Sequence, residues 1–191
     1  MSLAVSRNDL GEALVLGWTI YDASEEASDT RLAALSELSL VALKAGFPSQ
    51  ARAGFKVVLE SRALTHQRLA SLGGDVRAAA RLGLKAEVTR INRDIRREAA
   101  RGGALLETTM AFVYLAEAQH LIGDSSAATA TLSQARQMAA QHGFNEYAFA
   151  ADALERSWES GGEADTTSPS REWSEASSNV SLAINRFAAL T

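Results

Sequence analysis

The chain has 191 residues, no cysteine and a formal net charge of −4. Without cysteine there are no disulfides, thiolate metal centres or cysteine nucleophiles, and the negative balance argues against a nucleic-acid partner. No apolar run approaches the ~20 residues of a membrane helix, and no basic segment precedes a long apolar one. Neither a membrane span nor a signal peptide is expected, and a cytoplasmic location fits.

Hydrophobic residues make up 47% of the chain, much of it alanine, while aromatics are only 6% and prolines number two. That balance favours helices packed closely through small side chains over a β-sandwich. The length suits one domain. Residues 7–26 read as the first helix, with Leu10, Leu14, Trp18 and Tyr21 as its stripe. Ser28-Asp29-Thr30 is a helix start, and the stripe Leu32, Leu35, Leu38, Ala42 runs from it to Ala45-Gly46. The next helix is expected from Ser49 to Leu72, ended by Gly73-Gly74-Asp75. Two interior glycines would cost roughly 1 kcal/mol each, which argues against a helix passing through them.

From Val76 to Arg101 an apolar stripe implies one long helix or a break near Asn92-Arg93-Asp94. Residues 104–142 are the clearest hairpin. Its two helical patterns meet at Gly123-Asp124, where glycine takes the left-handed conformation and aspartate caps the next helix. A last array helix starts at Phe144 and ends at Gly161-Gly162. Residues 1–162 thus form the array, 163–170 a linker, and 171–191 a C-terminal helix with Trp173, Val180, Ile184, Phe187 and Leu190 as its stripe. The expected fold is all-α, stacked antiparallel hairpins with about seven array helices and a C-terminal one. The C-terminal stripe is expected to pack back on the array, whose final hydrophobic face needs a cover, or on a second copy of the chain.

Self-similarity supports the stack. Gly46 and Gly123 each precede an alanine by five residues (Ala51, Ala128), then Phe55 or Leu132, then Val58 or Ala135. Together with Leu38 and Leu115-Ala116, these positions resemble the tetratricopeptide repeat family, in particular the units near 40 residues long of large bacterial signalling ATPases and transcription activators. The resemblance covers about residues 8–160. No unit has the family's helix-ending proline. The chain opens on what reads as the second helix of a unit, which implies an unusual cap or a longer array.

No phosphate loop, dinucleotide fingerprint, zinc-protease motif or nucleophile elbow is present. No catalytic residue, metal or cofactor is therefore assigned, and a non-enzymatic module is expected. The resemblance implies a concave groove lined by the first helix of each unit. Counted back from the glycines, that gives Ser36, Leu40 and Lys44, then Met110, Val113, Glu117 and His120, then Ala148, Glu155 and Trp158. Arg77 joins them if Gly83 is the small packing residue of its helix. Lys44 and Arg77 are expected toward one end and Glu117 and Glu155 toward the other. His120, near a helix end, reads first as a partner of the helix dipole.

A second candidate surface is basic. Residues 75–101 carry eight arginines and lysines against four acids, whereas 144–175 carry eight acids against two arginines. Arg90, Arg93, Arg97 and Arg101 share one side of a helix, with Arg93 and Arg97 at its centre. They read either as a solvated face paired with Asp94 and Glu98 or as a dock for an acidic partner. The expected function is to bind a protein or peptide segment through the groove or the basic helix. The alternative is a regulatory, ligand-sensing domain of a larger bacterial signalling or transcription protein, which would need an enclosed pocket with convergent polar groups.

Overall fold

The computed structural model describes residues 10–26, 28–160 and 182–190. The linker at 163–170, Trp173, Val180 and the glycine stop at 161–162 lie outside the described residues. Among the described residues there is no strand. The helices are α1 (Leu10–Ala23), α2 (Asp29–Lys44), α3 (Pro48–Glu60), α4 (Thr65–Arg81), α5 (Lys85–Ala99), α6 (Leu105–Leu121), α7 (Ser125–His142) and α8 (Asn145–Glu159). Residues 182–185 form a helical turn that continues as a 3-10 helix, Arg186–Leu190. The all-α stack is as expected, with one more array helix than expected.

The extra helix comes from a misread pair of glycines. Gly73 and Gly74 end nothing; they lie in the middle of α4 and are buried. A Cβ on Gly74 would sit 2.1 Å from the Phe55 ring of α3. One on Gly73 would sit 3.1 Å from the Tyr114 ring and 3.3 Å from the Ala111 Cα of α6. The helix gives up propensity there, and in return α3 and α6 approach its backbone from two sides. The real breaks fall elsewhere. Residues 61–64 separate α3 from α4, and Gln67 anchors the new start by accepting from the Leu64 N–H at 3.0 Å. The stripe from Val76 onward breaks neither nowhere nor at Asn92-Arg93-Asp94, but at Gly83.

Gly46, Gly83 and Gly123 carry φ of 85°, 70° and 90°. Each closes its helix with the same two hydrogen bonds. The N–H after the glycine reaches back to Ala42, Ala79 or Gln119, and the glycine N–H reaches Leu43, Ala80 or His120. Only glycine holds that conformation without Cβ strain. Gly83 is thus a turn residue, not the small packing residue of its helix, yet it marks the same register as the other two.

The first helices of successive pairs begin at Asp29, Thr65, Leu105 and Asn145, so the units run 36, 40 and 40 residues. α2, α4, α6 and α8 form an inner layer, each in contact with the next, while α3, α5 and α7 share few contacts with one another. The inner helices are tight and the outer ones splayed. Leu35, Leu38, Phe55 and Val58 centre one core cluster, and Leu69, Ile91, Ile95 and Leu115 centre the next.

Residues 182–190 pack against α1 and α3, at the first end of the array and not over the final face. Phe187 is 1% exposed. Trp18 Nε1 donates to the Ala183 carbonyl at 2.9 Å, and Arg186 pairs with Asp22 at 2.6 Å. Gly54 makes room: a Cβ there would meet Phe187 at 2.9 Å and the Ser39 hydroxyl at 2.1 Å.

Candidate binding groove

The inner layer presents one continuous face, and most of the groove residues expected from the repeat lie on its helices. A cavity of about 190 Å³ opens between α2, α4, α6 and α8. Ser36, Glu37 and Leu40 form one wall, Leu106, Glu107, Met110 and Tyr114 the other, and Tyr147 closes it from α8. Ala70 and Phe55 lie beneath. Small residues on α4 keep this floor low, because nothing larger projects between the two walls.

Arg77 and Glu117 meet in the middle of the face. Arg77 Nε lies 2.8 Å from Glu117 Oε2, and Nη2 donates to Oε1 at 3.1 Å. Their side chains are only 14% and 18% exposed. The guanidinium also sits 4.5 Å over the Tyr114 ring, a cation–π contact in a partly dry setting. The expected segregation of charge is therefore wrong. Arg77 and Glu117 neutralise each other rather than marking opposite ends, because residues six before successive turn glycines stand side by side in the stack.

Glu155 is also not free to face a ligand. Arg136 of α7 binds it at 2.5 Å and holds Asp152 at 2.9 Å. His120 and Trp158 come together across α6 and α8, their rings stacked 4.4 Å apart at 6°. The His120 ring thus has an aromatic partner beyond any helix-end effect. Lys44 lies in the last turn of α2 with its side chain exposed. Desolvation and the neighbouring Arg77 hold its pKa down, and Glu37 opposes them.

The groove's field comes mainly from residues that motif reading passed over. Glu37 stands at the position before Gly46 that Tyr114 occupies before Gly123, nine residues back. Counting from the turn glycines was the available signal. Protein walls around Glu37 push its carboxyl upward, and Lys44 only partly compensates. Tyr147 is pushed up to about 12, first by burial and then by Tyr114, Glu146, Glu107 and Glu37. Tyr114 is raised in the same way, with Arg77 opposing. Glu37, Glu107 and Glu146 form no ion pair among the described residues. The cavity is apolar beneath and electronegative at its rim.

Arg93 and Arg97 lie on α5, an outer helix, and have no part in the groove. Arg97 pairs with Asp94, which also accepts from Arg90 at 2.9 Å, and Arg101 pairs with Glu98 at 2.8 Å. Arg93 is exposed. The eight candidate residues therefore divide between two faces. Among the described residues no group of His, Asp and Glu could hold a metal ion, and no helix is long and apolar enough to cross a membrane. Compared with protein-family models, with curated proteins and with solved structures, the chain has no significant match.

Proposed function

We propose that the chain is a non-enzymatic helical-repeat module, tetratricopeptide-like in its turns, that holds a segment of another protein against its inner face in the cytoplasm. The observation that carries this reading is the cavity among four inner helices, with an apolar floor and unpaired carboxylates at its rim. Such a surface suits a short segment with an apolar anchor beside a lysine or arginine. The anchor gains by leaving water, and the cation meets Glu37 and Glu107 where low dielectric strengthens the attraction. An acidic partner for α5 is a weaker reading, because Arg90, Arg97 and Arg101 already share local carboxylates.

The test is selection of peptides from a random library on the full chain, followed by affinity measurement on the variant Glu37→Lys, Glu107→Lys. Selected peptides should be rich in Lys or Arg next to Leu, Met or aromatic residues. Reversing two rim charges should weaken them by about tenfold or more, since a charged contact is lost and a repulsive one put in its place. Failure to select any peptide, or equal binding to the variant, would overturn the reading.

A further inference from the structure

The first end of the array carries a recognition surface of its own. Ala183, Ile184, Phe187 and Leu190 recur at the spacing of one helix face. The first three are buried and Leu190 partly so. They meet a socket made by α1 and α3. The Phe187 ring stands edge-on to Trp18, with 5.2 Å between centroids. It lies against the bare backbone of Gly54, where a Cβ would come within 2.9 Å. Trp18 Nε1 donates to the Ala183 carbonyl, 165 residues away in sequence. At the edge of the socket Arg186 sits 4.1 Å over the Trp18 ring and pairs with Asp22. An apolar helix face in a groove, with a charged pair at the rim, is how proteins recognise a short helix from a partner. Here the helix is the chain's own.

The segment is seated along one side only. A cleft of about 270 Å³ runs between it and α1, and Val15 and Leu182 on its walls are 48% and 67% exposed. Elements held by few buried contacts are the first to open. Residues 161–181, 21 in number, join the segment to α8. Stretched out, a join of that length reaches about 70 Å, enough to arrive at a neighbouring chain. The anchors described above lie in the segment and the socket. A segment from another chain meets every one of them equally well.

We propose that the socket between α1 and α3 accepts residues 182–190 of a second copy, so that two chains exchange these segments and form a symmetric dimer. A segment on a flexible join faces its own socket at an effective concentration in the millimolar range. The single chain therefore prevails in dilute solution, and the exchanged dimer grows in as concentration approaches that range. The exchange leaves the inner face untouched and does not depend on the groove reading.

The test exploits the Arg186–Asp22 pair, whose side chains are 38% and 54% exposed and can be reversed without disturbing the core. Asp22→Arg in one full-length chain and Arg186→Asp in another each put like charges together wherever a chain fills its own socket. When the two are mixed, exchange sets opposite charges together at both sockets. Light scattering at about 100 µM should show twice the single-chain mass in the mixture and the single mass for either variant alone. The mixture should associate at least about tenfold more tightly than the wild-type chain, because two mismatches are relieved at once. One chain carrying both substitutions restores the pair within itself and should behave as the wild type. A mixture that stays at the single-chain mass, or dimers equally abundant in each variant alone, would overturn the proposal.

Discussion

The inner and outer faces are built from the same residue types and use them differently. On the inner face Arg77 and Glu117 lie between closely packed helices, with the guanidinium over the Tyr114 ring and both side chains largely out of water. On the outer face Arg97 pairs with Asp94 one turn away on its own helix and remains 71% exposed. The first pair joins two units of the stack, and the second decorates one helix. The difference follows from the packing. Glycines and alanines draw the inner helices together, whereas the outer helices stand apart and leave Arg90, Arg93 and Arg97 of α5 to solvent.

The largest test of that contrast is steric. Gly74→Ala places a methyl against the Phe55 ring, which is itself buried. The gain in helix propensity, about 1 kcal/mol, is outweighed by overpacking. The expected net loss is about 2–3 kcal/mol, seen as a lower urea midpoint. Gly73→Ala meets its neighbours at 3.1–3.3 Å and should lose under about 1 kcal/mol. Equal midpoints for the two variants would mean that α4 does not need its glycine on the Phe55 side.

A smaller effect compares the ion pairs by double-mutant cycle. Coupling between Arg77 and Glu117 should be about 1–2 kcal/mol, reduced from that of a fully buried pair by residual exposure. Coupling between Arg97 and Asp94 should stay below about 0.5 kcal/mol and vanish in high salt. Similar values would erase the distinction between the faces.

The smallest effect is a pH dependence of opposite sign on the two sides. Glu37, inside, has its carboxyl raised by burial. Its folded form resists ionisation, so stability is lost as pH rises from the unfolded value through the raised one. Glu87, outside, is lowered to about 2 by hydrogen bonds from Arg90 and then Arg52. Its contribution is present above the unfolded value of about 4.5 and is lost as pH falls toward about 2. Glu37→Gln should therefore stabilise slightly at neutral pH and not at pH 3. Glu87→Gln should flatten the acid limb. Equilibrium unfolding at several pH values separates the two, and shifts of the same sign would contradict the assignment.

Helices closed by a glycine stop could be read from the residues alone. Gly46 before Phe47-Pro48, Gly123 before the capping Asp124 and Gly143 are such cases. Gly83 was lost because Gly73-Gly74-Asp75, ten residues earlier, looks like a stronger stop. Glycine serves two purposes, positive φ and absence of a Cβ. Sequence does not separate them, because the second depends on Phe55 and Tyr114 arriving from other helices. The same limit governs the groove. Arg77, Glu117, His120 and Trp158 could be placed on inner helices from repeat spacing. That Arg77 would neutralise Glu117, or that His120 would stack on Trp158, depends on how neighbouring units align. Tyr147 matters because distant helices partly enclose it, and no local pattern records enclosure.

The central claim is that a partner segment occupies the inner face. Nuclear magnetic resonance of the full chain, titrated with a library-selected peptide, tests it most directly. The Met110 methyl and the Tyr114 and Tyr147 ring signals should shift together and saturate with one affinity, while signals of Arg93 and Arg97 on α5 stay in place. Shifts confined to α5, with Met110, Tyr114 and Tyr147 unmoved, would contradict the account.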